Sequence, residues 1–258
     1  MSHKPTLVLV PGAWHSAATW DKTASLLEAE QYKCVRVSLP SAAPNPSATF
    51  FGDVEVVRNA IMAETTQGRD VVVVVHSYGG MVGNSAIKGL TRPKQNASSS
   101  EKETSGHVIG LIMLASGFTV TGSSFIDGFG GKPPPIWNLN PESGFVDLLV
   151  DPRELFYHDL PLDEGNYWVG KLEKQSVISL TEGGEHAYAG WMDVPVWYLS
   201  TAEDKALPVE AQRMFVGMAQ AAGGDVTVRE INTSHSPMLS KPKETADFIS
   251  EAVASFVG

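Results

Sequence analysis

Val71-Val72-Val73-Val74-Val75-His76-Ser77-Tyr78-Gly79-Gly80-Met81 runs from an unbroken β-branched stretch through a serine into glycines. A buried strand that turns sharply into a helix at a serine lifts the hydroxyl clear of the sheet. There the N-terminus of the helix favours developing negative charge, which suits a nucleophile attacking a carbonyl. The turn departs from Gly-x-Ser-x-Gly at Val75, which adds bulk two residues before Ser77 and leaves open whether the turn is strained or reshaped. Gly79 and Gly80 are expected to let the helix pass close to neighbouring strands, where a Cβ would collide. No lysine follows the glycines as a Walker loop requires, and no G-x-G-x-x-G stands in this turn, so nucleotide binding loses its main support.

A serine hydroxyl is a weak nucleophile until a base takes its proton, and that base needs a carboxylate behind it to fix its tautomer. The chain offers seven histidines. His76 adjoins Ser77, and neighbours at a strand end point to opposite sides. His3 lies at the terminus, His107 at the wrong end of its strand, and His158 and His186 in a long insertion. His235, in Asn232-Thr233-Ser234-His235-Ser236-Pro237, follows the last expected strand on the sheet edge where Ser77 emerges, so it is the preferred base. The acid is sought after the preceding strand, in Thr201-Ala202-Glu203-Asp204-Lys205-Ala206-Leu207-Pro208. Asp204 is preferred to Glu203 because a short side chain in a turn is held more rigidly against an imidazole. The order Ser77, Asp204, His235 is the Ser…Asp…His order of one specific fold.

The elements that must position these residues alternate along the chain. Six strands are expected at Thr6–Val10, Cys34–Leu39, Val71–Val75, Val108–Ala115, Val194–Ser200 and Val226–Ile231. Helices are expected at about Trp20–Glu30, Thr49–Gln67, Gly79–Leu90, Val209–Ala222 and Lys241–Val257. The pattern predicts an α/β fold: a doubly wound, six-stranded parallel sheet in the order 2-1-3-4-5-6, with the site at its switch point. Residues 91–106 are polar and read as an exposed mobile loop. Residues 117–193 are longer than a crossover needs and open on Gly- and Pro-rich sequence, so they read as an inserted, mainly helical cap on a single domain spanning 1–258. That cap is rich in aromatic side chains, which either wall an apolar substrate site or hold the cap together.

Composition narrows the partners. With 43% apolar and 19% charged residues the chain can bury a substantial core. A net charge of −10 repels phosphate backbones and anionic headgroups, which argues against nucleic acid and membrane partners. No apolar stretch approaches the ~18 residues that span a bilayer and no leader pattern opens the chain, so a cytoplasmic protein is expected. The single cysteine, Cys34, is expected to be buried and structural. The triplets at Asn96 and Asn232 match the glycosylation pattern by chance on that view.

Taken together, these segments resemble the α/β-hydrolases, in particular the branch of plant methylesterases, salicylate-binding esterases and hydroxynitrile lyases. Leu7-Val8-Leu9-Val10-Pro11-Gly12-Ala13-Trp14-His15 is similar to that branch's first strand and oxyanion loop, with Pro11-Gly12 where His-Gly is usual. The Thr201–Pro208 stretch resembles its acid loop, and Ser234-His235-Ser236-Pro237-Met238-Leu239 its histidine loop. The resemblance implies an oxyanion hole built from the backbone N–H groups of Ala13 and Tyr78. It disfavours cyanohydrin cleavage, because the lyases carry threonine where this chain has Gly12 and lysine where it has Ser236. Candidate substrate-binding residues are Trp14, His15, Trp137, Phe156 and Trp168, with His15 expected more to brace the loop than to touch substrate. The reaction expected is serine-dependent hydrolysis of an ester or lactone of a small to medium apolar molecule, with no metal and no organic cofactor. Two alternatives stay open. One is a lyase, cyclase or carbon–carbon bond-cleaving enzyme that uses the same serine and histidine for proton transfer; the other is a ligand receptor on the same scaffold.

Overall fold

The computed structural model describes residues 4–92 and 105–258. His3, the Asn96 triplet and most of the expected 91–106 loop lie outside the described residues. The strands are β1 (Thr6–Val10), β2 (Lys33–Arg36), β3 (Val71–His76), β4 (Val108–Leu114), β5 (Trp137–Asn140), β6 (Phe145–Leu148), β7 (Val196–Thr201) and β8 (Val226–Ile231). The helices are α1 (Asp21–Ala29), α2 (Phe50–Thr65), α3 (Gly79–Ala86), α4 (Pro152–Phe156), α5 (Leu162–Val169), α6 (Val177–Thr181), α7 (Val209–Ala221), α8 (Pro237–Ser240) and α9 (Pro242–Val257). Six strands form one sheet in the order β2-β1-β3-β4-β7-β8, every pair parallel. Counting sheet strands alone, this is the expected 2-1-3-4-5-6.

The central strands are buried from end to end because helices cover both of their faces. Side-chain alternation shows which helix covers which face. Val73 and Val75 point at Gly83 of α3, whose missing Cβ would otherwise lie 2.4 Å from Val75 Cγ1. The bulk that departs from the expected elbow pattern is therefore accommodated by a glycine on the facing helix. Gly110, in register with Val72, lies under the Phe256 ring of α9, where a Cβ would approach to 2.2 Å. Residues one apart on a strand face opposite ways, so α3 and α9 cover opposite faces. No helix among the described residues is long and apolar enough to cross a membrane.

The segment between β4 and β7 carries α4, α5 and α6 and, unforeseen from the sequence, an antiparallel hairpin in which Trp137 pairs with Leu148 and Asn140 with Phe145. Cys34 differs from expectation as well. It is half-buried on the edge strand β2, and desolvation pushes its thiol up to about 12, which leaves it a poor nucleophile.

Candidate active site

Ser77 sits between β3 and α3 with φ 50°, in the left-handed region that L side chains rarely adopt. Both sides of the turn are tied down. The Ser77 N–H donates to the Leu114 carbonyl at the end of β4 (3.1 Å), and the Ser77 carbonyl accepts from the Gly80 N–H (2.8 Å) and the Ser116 hydroxyl (2.7 Å). Sheet pairing thus forces the sharp turn and presents the side chain beyond the carboxyl ends of the strands.

His235 and Asp204 are both buried and meet directly, with Nδ1 of the imidazole 2.7 Å from Asp204 Oδ2. Asp204 is held as an acceptor on every side. Its Oδ1 takes the main-chain N–H groups of Ala206 and Leu207, each at 2.8 Å, and its Oδ2 also takes the Thr201 hydroxyl (2.8 Å) and Gln212 Nε2 (3.2 Å). Glu203, the other candidate, is exposed. His76 does not face Ser77 as a base. Its Nε2–H donates to the main-chain carbonyl of His235 (2.8 Å), and burial first, then the neighbouring His235 and His15, hold it neutral well below the usual imidazole range.

His235 and Ser77 line one cavity of about 220 Å³, with no hydrogen bond between them among the described residues. Trp14, Trp137 and Phe156, expected at the substrate, are in its wall. Phe125 and Phe129, which the sequence did not single out, extend that wall by stacking on Trp137 (ring centroids 6.2 Å) and packing edge-on to it (5.8 Å). Among the described residues, the N–H groups of Ala13 and Tyr78 donate to no main-chain or side-chain acceptor.

Two expected substrate residues lie outside the cavity. Trp168 is buried within α5, edge-on to Tyr167. His15 is buried with both ring nitrogens engaged: Nδ1–H donates to the Ala13 carbonyl (2.6 Å) and Nε2 accepts from the Tyr157 hydroxyl (2.7 Å). It braces the loop that carries Ala13. Burial, outweighing the Ala13 bond that would raise it, lowers His15 to about 4.

Supports absent from the sequence reading hold the rest. The Trp14 N–H, at φ 59°, donates to the buried Gln175 Oε1 (3.2 Å), whose Nε2 reaches the hydroxyls of Ser41 and Ser179. The Tyr78 hydroxyl donates to Oδ2 of the buried Asp53 (2.8 Å), in the first turn of α2. No local signal marks either residue, since each partner lies far away in the chain.

The buried neutral histidines make stability depend on acid. Below the unfolded pKa of 6.5 the unfolded chain binds a proton at position 15 that the folded state refuses until about 4, so stability falls as pH drops through that window. The loss for His15 alone should reach about 3 kcal/mol. Chemical denaturation at pH 7 and pH 4.5 measures it; equal stability at the two would contradict the assignment.

A sequence model described as the Alpha/beta hydrolase family matches residues 7–248. Alpha/beta hydrolase nvfD of Aspergillus novofumigatus is 30% identical over 257 residues, covering 98% of each chain. Polyneuridine aldehyde esterase of Rauvolfia serpentina is 28% identical over 258 residues, covering 92% of this chain and 91% of its own. A crystal structure of polyneuridine aldehyde esterase superposes with a TM-score of 0.73 at 22% identity, over 96% of this chain and 98% of that one.

Proposed function

Because the chain belongs to the alpha/beta hydrolase family, we propose that it is a serine-dependent hydrolase cleaving an ester or lactone of a small to medium apolar molecule. The observation that carries this reading is the strained Ser77 in one cavity with His235, whose Nδ1 is bonded to the buried Asp204. His235 Nε2 takes the Ser77 proton as Oγ forms a bond to the substrate carbonyl carbon, and the oxyanion accepts from the Ala13 and Tyr78 N–H groups. Collapse breaks the ester C–O bond, and the imidazolium returns its proton to the departing alkoxide. Water, deprotonated by the same imidazole, then releases the acid and restores Ser77. Asp204 keeps the proton of His235 on Nδ1, so that Nε2 is free to act as base. The Ser77–His235 hydrogen bond must close to about 2.6–3.2 Å when substrate fills the cavity, as is common for sites that tighten only on binding.

The aromatic wall supports an apolar acyl or alcohol group. In this reading residues 117–193 act as a cap, since they contribute Phe125, Phe129, Trp137 and Phe156 to the cavity. The test is to mix the enzyme with an apolar activated ester, quench in acid and map the peptides. An acyl group on the Ser77 peptide is expected. Turnover that survives in Ser77→Ala without any adduct would move the assignment to proton-transfer chemistry on the same scaffold.

A further inference from the structure

The tetrapeptide Phe156-Tyr157-His158-Asp159, at the end of α4, reaches three loops of the candidate site, those carrying Ala13, Asp204 and His235. The Tyr157 hydroxyl donates to His15 Nε2 (2.7 Å), and through the His15 Nδ1–H bond to the Ala13 carbonyl it reaches the loop bearing the proposed oxyanion N–H. His158 Nε2–H donates to the carbonyl of Glu203 (2.8 Å), the residue before Asp204. Asp159 Oδ2 accepts the N–H of Ser234 (2.9 Å), the residue before His235, and the Phe156 carbonyl accepts the Ser234 hydroxyl (2.9 Å). The Phe156 side chain faces the cavity and packs 5.7 Å from the His235 ring. Two residues before this run, Glu154 adds an ion pair to Lys205, just after Asp204.

Four consecutive residues gripping three loops otherwise remote in sequence is more than cap packing requires. Packing could be met by apolar contact, whereas these polar bonds end on residues next to those with a role in the chemistry, two of them directly on main-chain atoms: the Glu203 carbonyl and the Ser234 N–H. We propose that the tetrapeptide at positions 156–159 is a positioning hub that aligns the oxyanion, acid and histidine loops with one another and couples that alignment to the cap. The functional meaning of the alignment rests on the acyl-transfer reading; the geometric claim does not. Asp159 is the sharpest place to cut. Among the described residues its Oδ1 is buried with no partner, so its side chain is bonded only to the Ser234 N–H, through Oδ2. Asp159→Ala removes the acceptor, whereas Asp159→Asn keeps a carbonyl oxygen for the same N–H.

The experiment uses the full-length chain and has two readouts. The first is the downfield proton resonance of the His235 Nδ1–H bond to Asp204, which needs no turnover. It should be resolved in the wild type and in Asp159→Asn but broadened or lost in Asp159→Ala, as the histidine loop loosens. The second is steady-state kinetics on an apolar ester: Asp159→Ala and Tyr157→Phe should each lower kcat about tenfold or more with KM within about twofold, and Asp159→Asn should restore kcat. Tyr157→Phe keeps the ring and serves if Asp159→Ala folds poorly. A wild type without the resonance, an Asp159→Ala spectrum like the wild type's, or equal impairment of Asp159→Ala and Asp159→Asn would overturn the hub. Turnover retained in Ser77→Ala would instead overturn the acyl-transfer reading, leaving the resonance to decide the hub by itself.

Discussion

Ser77→Ala should lower kcat on an apolar ester by about 10⁴-fold or more while the protein stays folded. The size follows from the role. Removing Oγ removes the atom that forms the covalent bond, so what survives is cavity binding and oxyanion stabilisation of direct water attack. Stability should hardly change, because alanine meets the same turn, fixed by the bonds to Leu114, Gly80 and Ser116. Ser77→Gly sharpens the test. At φ 50° a non-glycine residue carries about 1 kcal/mol of strain that glycine escapes, and this offsets the greater freedom glycine gains when unfolded. Its melting temperature should therefore match or exceed that of Ser77→Ala, with activity equally lost. A clearly lower melting temperature in Ser77→Gly would mean the turn is not strained in the way described.

Asp204→Asn should cost about 10⁴-fold in kcat through the tautomer of His235. The two N–H donors from Ala206 and Leu207 converge on Oδ1, so an asparagine places its carbonyl oxygen there and its amide nitrogen toward His235. An N–H facing Nδ1 forces that nitrogen to accept, which puts the imidazole proton on Nε2 and leaves no base for Ser77. The same amide nitrogen meets Gln212 Nε2, another donor, so about 1–2 kcal/mol of stability should be lost as well. Steady-state kinetics and thermal melting measure the two losses. A near-normal kcat would show that Asp204 does not set the tautomer.

Much of this arrangement was legible in the chain because it rests on local pattern. The run Val71 to Val75 is apolar throughout, as a doubly covered strand must be, and β3 begins at its first residue. Boundaries were harder where a turn competes with propensity. The strand expected to reach Leu39 ends at Arg36, since Pro40 opens a short 3-10 turn just beyond. The helix expected to reach Leu90 stops at Ala86, and Gly89 follows in a left-handed conformation. The β5–β6 hairpin did leave a trace, in Asn140-Pro141 and a Gly144 at φ 73°, but short amphipathic segments within a Pro-rich insertion read as readily as helix.

Loop residues were legible in position but not in direction. Trp168 was expected at the substrate, whereas tertiary packing buried it within α5; His15, a substrate candidate expected more to brace the loop, is turned onto Tyr157 and the Ala13 carbonyl. Asp159, Gln175 and Asp53 were invisible for a different reason. Each acts through one or two bonds to a distant segment, and no periodicity or motif records a partner far along the chain.

The most direct test of an activated serine is labelling with a fluorophosphonate, which reacts with a nucleophilic hydroxyl irrespective of the natural substrate. A single adduct is expected on the peptide containing Ser77, absent in Ser77→Ala and sharply reduced in His235→Ala. Folded wild-type protein that stays unlabelled, or that is labelled at another residue, would contradict it.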